Sequence, residues 1–222
     1  MEKQANLTHS RIEEVFGVRL RELEAKRLDK IVEEFSRGFY FLRDFGLAAT
    51  IFGSTRVKTE DRMYQEATKL ASMLVKEGFA IITGGGPGIM EAANRGAVDV
   101  GAESIGLNIQ LPREQRMNPY VRRGIGFHYF FARKVMLSAS SQAYIFFPGG
   151  FGTMDELSEL IEMIQTKKMQ PVPIVLIGKE FWGGYLDWVK RAMLGEHAFI
   201  SPEDLGIMQL VDSAKEAFAI AK

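Results

Sequence analysis

The chain contains no cysteine, which excludes disulfides, thiolate zinc centres, iron–sulfur clusters and a cysteine nucleophile. A reducing compartment fits that absence. Histidine is scarce too: His9, His128 and His197 stand far apart, without the spacing of a metal site, so no metal is expected. No apolar run approaches the roughly 18 residues of a spanning helix. The opening MEKQANLTHSRIEEVFG is polar where a secretory leader needs an apolar core. A cytoplasmic chain with no membrane partner is the expectation. Nor does one charge dominate: 28 Lys and Arg balance 28 Asp and Glu, so no global field draws the protein onto nucleic acid. Three catalytic signatures are also missing. Without G-x-S-x-G a serine hydrolase triad has no anchor. Without G-x-G-x-x-G after the first strand, or a Gly-Lys-Ser/Thr ending on a glycine loop, dinucleotide and magnesium–triphosphate sites lose their frame, and no cofactor is expected.

What is present is a soluble composition, 46% hydrophobic and 25% charged over 222 residues, long enough to bury a core without staples. Residues 1–45 read as an N-terminal helical extension, with Leu28, Ile31, Val32, Phe35, Phe39 and Leu42 at helical spacing and Gly38 as a candidate kink. This stripe packs an extra layer onto the domain or buries itself against a second subunit. Residues 46–222 read as one compact unit. Strand candidates are Leu47–Phe52, Phe79–Thr83, Ser104–Ile109, Ala143–Phe147, Val172–Ile177 and Ile207–Val211. Helices are expected near Asp61–Lys76, with Asp61 as N-cap, Ile89–Val100, Phe130–Ser138, Gly152–Thr166, Tyr185–Leu194 and Ser213–Ala221. Continuous aliphatic strands alternating with helices predict an α/β fold, a Rossmann-like doubly wound parallel sheet. Gln110–Phe127 reads as an irregular stretch covering the site.

Ligands of such sheets bind at the carboxyl ends of the strands. There the sequence places three glycine loops: Gly53-Ser54-Thr55-Arg56, Gly84-Gly85-Gly86-Pro87-Gly88 and Pro148-Gly149-Gly150-Phe151-Gly152-Thr153. A glycine turn opening a helix aims free N–H groups and a positive dipole end at an anion, so a phosphate nest is expected. Any one of these loops is equally explained by the sterics of a tight turn. Glu156, one turn into the helix behind the third loop, is either a capping carboxylate or an acid held beside the bound anion. Arg133, in a mostly apolar helix, needs an anionic partner, and Glu156 or the ligand would supply one. Lys134 is either another such group or surface charge. Asp155 and Glu159 read as solvated. Met136 and Met90 lie near the loops, placed to touch a flat base.

Gly84-Gly85-Gly86-Pro87-Gly88-Ile89-Met90-Glu91-Ala92, Arg133-Lys134 and Pro148–Glu156 together resemble the LONELY GUY (LOG) family, whose signature is P-G-G-x-G-T-x-x-E. The similarity spans about residues 47–212, and the longer N-terminal helix resembles the larger bacterial branch. Members are cytokinin riboside 5′-monophosphate phosphoribohydrolases, long mislabelled lysine decarboxylases; nothing here identifies a pyridoxal-phosphate lysine. The resemblance implies Arg133 and Glu156 as catalytic, and Ser54, Gly85, Gly86, Lys134, Met136 and Gly149–Thr153 (Gly149, Gly150, Phe151, Gly152, Thr153) as substrate-binding. The implied reaction is hydrolysis of the N-glycosidic bond of AMP or an N6-substituted AMP. It also implies a homodimer or larger homo-oligomer. The first loop reads Gly53-Ser54-Thr55-Arg56 where plant members have Gly-Ser-Ser, and Glu162 stands about where they carry a threonine near the ligand, so the base is left open. Molybdenum-cofactor carriers resemble the same fold. A non-catalytic nucleotide or molybdenum-cofactor carrier therefore stands as the alternative, against which Arg133 and Glu156 together favour the enzyme.

Overall fold

A computed structural model describes residues 23–110 and 117–222. The polar N-terminal stretch with His9 lies outside them. Seven strands, β1 Ala48–Phe52, β2 Ala80–Thr83, β3 Ser104–Ile109, β4 Arg123–Phe127, β5 Ala143–Phe146, β6 Ile174–Ile177 and β7 Met208–Val211, form one sheet. Every pair is parallel, in the order β4-β3-β2-β1-β5-β6-β7. The helices are α1 (23–42), α2 Arg62–Lys76, α3 Ile89–Val98, α4 Phe130–Ser138, α5 Phe151–Gln165, α6 Lys179–Trp188 and α7 Ala214–Ala221. The doubly wound fold read from the sequence is the one observed.

All residues of β1, β3, β5 and β6 are buried, because helices cover both faces, and such strands need apolar side chains on either side. Alternation along β1 divides the core. Ala49 and Ile51 join the layer under α2, α3 and α7, while Ala48 and Phe52 join the layer under α4, α5 and α6. Phe35, Phe41, Leu42 and Phe45 of the N-terminal segment pack on the second layer, whereas Leu28, Val32 and Phe39 face outward. Strand order reverses between β1 and β5, so their carboxyl ends flank the crevice where ligands of such sheets bind.

The structure corrects several expectations. The irregular stretch contains β4, hidden in Arg123-Gly124-Ile125-Gly126-Phe127 because its glycines carry no β signal. They have a packing reason: a side chain on Gly124 would collide with Met117, which lies over the sheet there. Gly38 does not interrupt α1, which continues to residue 42. A Cβ at Gly38 would run into the Met136 thioether, so glycine here admits a neighbour. Asp61 precedes α2, but its carboxylate accepts from the Lys58 N–H at 2.8 Å, not from the helix. The helix expected at Tyr185–Leu194 is instead α6, anchored by fully buried Trp182, followed by a π-helical segment Val189–Glu196. Gly183-Gly184 masked its start.

Candidate active site

A cleft of about 890 Å³ opens at the carboxyl ends of β1 and β5. Gly53–Val57, Gly84 and Pro148–Thr153 contribute to its walls, so all three glycine loops meet there. Ser54 is tied to both neighbours, its N–H donating to the Pro148 carbonyl at 3.0 Å and its carbonyl accepting from the Ile89 N–H at 3.1 Å.

The third loop has the form of an anion nest. Gly149 must be glycine, because a Cβ there would collide with the Thr153 side chain. Gly150 precedes α5, and Thr153 and Met154 donate to its carbonyl. The amides of Phe151 and Gly152 therefore precede the first intrahelical bonds, at the positive end of the helix dipole. Phe151 lines the cleft while 96% exposed.

One turn further, Glu156 lines the cleft yet is only 6% exposed. Burial pushes its carboxyl up to about 7, opposed by the charges of Arg133 and Lys134 and reinforced by Glu159 and Asp155. Arg133 approaches from α4, its Nη2 4.0 Å from Glu156 Oε1 and its guanidinium 5.5 Å from the Phe130 ring centre. Burial lowers the arginine below its ordinary pKa, and Glu156 opposes that shift. Its Nε–H is buried and finds no acceptor among the described residues. A buried pair at this loose separation, with a donor left over, has capacity for an anionic ligand. Beyond the pair the lining combines apolar Phe52, Met90, Ile109 and Leu137 with polar Ser54, Thr55 and Thr153, the cation Arg56 of the first loop, and Asn108 near the end of β3.

A protein-family model described as “possible lysine decarboxylase” matches residues 90–220. The cytokinin riboside 5′-monophosphate phosphoribohydrolase LOG3 of Arabidopsis thaliana is 31% identical over 160 residues, covering 69% of this chain and 72% of its own length. The chain belongs to the LOG family. LOG4 of the same plant is 30% identical over 179 residues, 78% of this chain and 80% of its own. Among solved structures, the molybdenum cofactor carrier protein of Chlamydomonas reinhardtii superposes with a TM-score of 0.60 at 20% identity, over 78% of this chain and 94% of that one. That likeness shows the fold.

Set against the residues implied by the LOG resemblance, the structure gathers Arg133, Glu156, Ser54 and Gly149–Thr153 around one cavity. Others are not among its lining residues. Lys134 turns to Asp155 at 2.8 Å and Glu159 at 3.5 Å, so Glu159 is half-buried and paired where a solvated side chain was expected. Met136, three residues after Arg133, is fully buried against α1. Gly85 and Gly86 serve the segment after β3: Asn118 donates its amide to the Gly86 carbonyl at 2.9 Å, and its N–H to that of Gly85 at 2.8 Å. Glu162 is exposed. Asn108 and Phe181 line the cleft unforeseen. Asn108 had a readable signal, a large polar side chain near the end of a buried strand that is otherwise apolar after Ser104. Phe181 was lost with the misplaced helix.

Proposed function

We propose that this LOG-family chain hydrolyses the N-glycosidic bond of a nucleoside 5′-monophosphate, AMP or an N6-substituted AMP, to the free base and ribose 5-phosphate. The observation that carries the reading is the Arg133–Glu156 pair facing the Gly149–Thr153 nest in one cleft. The α5 amides hold the 5′-phosphate, and this remote binding energy positions C1′ beside the carboxylate. As the bond to the base breaks, positive charge develops on the ribose ring. The Glu156 carboxylate stabilises it and orients the attacking water, whose proton it accepts. The departing base keeps the electron pair of the broken bond and takes up a proton from solvent, to which Glu156 afterwards returns its own. Arg133 holds the carboxylate and meets the ligand's anionic side. The leaving base sits among Phe52, Met90, Ile109 and Leu137. With Glu156 near pH 7, the ionised form the mechanism needs is available at neutrality.

The test is incubation of the purified protein with a panel of nucleoside 5′-monophosphates and their nucleosides, separating free base by chromatography. Base and ribose 5-phosphate should appear in equal amounts from monophosphates and not from nucleosides, because the nest needs its phosphate. Nucleotide binding without base release would replace the enzyme by a carrier. For assembly we propose at least a homodimer. Leu28, Val32 and Phe39 of α1, with Phe130 and Phe131 of α4, expose a large apolar surface. A monomeric mass by light scattering at micromolar concentration would refute this.

A further inference from the structure

We propose that Glu34 is a positioning residue for the cleft: from the N-terminal extension, its carboxylate holds the helix that carries Arg133 and so sets the Arg133–Glu156 geometry. The inference rests on the function proposed above and gives the extension a part in it.

Glu34 is only 4% exposed on a helix whose other acidic residues face solvent. Its Oε1 accepts the His128 N–H at 2.7 Å and its Oε2 the Tyr129 N–H at 3.1 Å. These amides lie at the start of α4, where Tyr129 makes no side-chain cap of its own. A carboxylate there satisfies orphan donors and opposes the helix dipole. The Arg133 N–H donates to the Tyr129 carbonyl at 3.2 Å, so Arg133 closes the first turn of the helix that Glu34 holds. One turn along α1, Gly38 receives Met136. Arg133 thus sits between two points at which α1 grips α4. Among the described residues its guanidinium makes no contact with an acid closer than the 4.0 Å approach to Glu156. The backbone of α4 must therefore place it.

The experiment compares Glu34→Gln with Glu66→Gln. Glu66 performs the same service at a distance from the cleft, accepting the Ala214 N–H at the start of α7 at 2.5 Å. Two readouts are taken besides thermal stability: kcat and KM for AMP, and the carboxyl titration of Glu156 followed by NMR in the nucleotide-free protein, which needs no turnover. Glutamine retains one acceptor oxygen and loses the other, so α4 stays folded but its start loosens. In Glu34→Gln, kcat should fall at least about tenfold and KM should rise by a smaller factor, because Arg133 shifts while the nest on α5 is untouched. The Glu156 titration should move upward as the Arg133 charge recedes, while Lys134, Asp155 and Glu159 stay in place. Glu66→Gln should lose comparable stability and change neither readout. If Glu34→Gln melts lower but leaves kcat and the Glu156 titration as in the wild type, Glu34 is only a structural cap and the proposal is wrong. If the wild type releases no base, the enzymatic reading fails separately, and the titration still decides whether Glu34 places Arg133.

Discussion

The two faces of the sheet are built from different materials. Under α2, α3 and α7 the layer is rich in alanine, with Ala67, Ala71, Ala92, Ala93, Ala97, Ala214 and Ala217 fully buried. Small side chains let these helices lie close, and Gly96 of α3 sits against the Thr68 carbonyl of α2. Under α1, α4, α5 and α6 the layer is aromatic: Phe52 stacks on Phe146 with centroids 4.7 Å apart, and Phe127, Tyr144 and Trp182 are fully buried. It also contains charge, in Glu34, Arg133 and Glu156. The first face is sealed except at its loop edge, where Met90 of α3 reaches the cleft, and it contributes mainly stability. The second helps enclose the cleft and keeps a carboxylate and a guanidinium out of water, an arrangement that costs stability unless ligand or partner compensates. Separating stability from chemistry in this way predicts that substitutions on the two faces have different signatures.

The largest expected effect is on the site face. Glu156→Gln keeps the side chain's size and removes its charge, so base release should fall by about 10³-fold while AMP affinity changes little. Parallel turnover and equilibrium binding measurements check it, and equal turnover would remove Glu156 from the mechanism. In the wild type, kcat/KM should rise with pH through about 7 as this carboxyl ionises.

Next is the pH dependence of stability. Folding raises Glu156 from 4.5 to about 7, so between those values the native state binds a proton that the unfolded chain has lost. This contribution to stability is fully present below the lower value, is lost as pH rises through the upper one, and is flat beyond. The whole change amounts to roughly 3 kcal/mol at most. Denaturant unfolding at pH 5, 6, 7 and 8 should show this slope, and Glu156→Gln should lose it.

The sealed face gives the complementary result. Gly96→Ala drives a methyl group into the Thr68 backbone carbonyl, and overpacking of this kind costs about 1–3 kcal/mol. The melting temperature should fall while kcat per folded molecule at low temperature stays at its wild-type value. A loss of kcat would show that the faces are coupled and break the comparison.

The smallest effect is expected at Lys134. Its ammonium is engaged by Asp155 and Glu159, and Asp155 is largely exposed, so Lys134→Met should cost no more than about 1 kcal/mol. The KM for AMP should change less than about threefold if no substrate contact is lost. A large rise in KM would restore Lys134 to the ligand.

Legibility in the sequence followed the range of the interactions. The Gly149–Thr153 loop and Glu156 form one turn-and-helix unit, whose spacing alone puts a carboxylate one turn behind an anion nest. Arg133 was legible because a guanidinium in an apolar helix demands an acidic partner. Lys134 and Met136 lie outside the cleft lining because neighbours along one helix point in different directions: Lys134 to the acids of α5, Met136 into the gap at Gly38. The strand at Arg123–Phe127 was missed because its glycines answer to residues packed over them from outside the strand, Gly124 to Met117 and Gly126 to Gln110.

The parallel sheet, the glycine loops at its carboxyl edge and the acid that follows the last of them can be read from the residues alone, since these depend on periodicity and on contacts within a few residues. Which loop residues reach the cleft, how far Arg133 stands from Glu156, and the hold of Glu34 on the arginine's helix emerge only when distant segments pack together. Glu34 lies 94 residues from the amide of His128 that it holds. No local pattern marks that pairing, because a buried carboxylate on α1 acquires its partners only when α4 is laid against it.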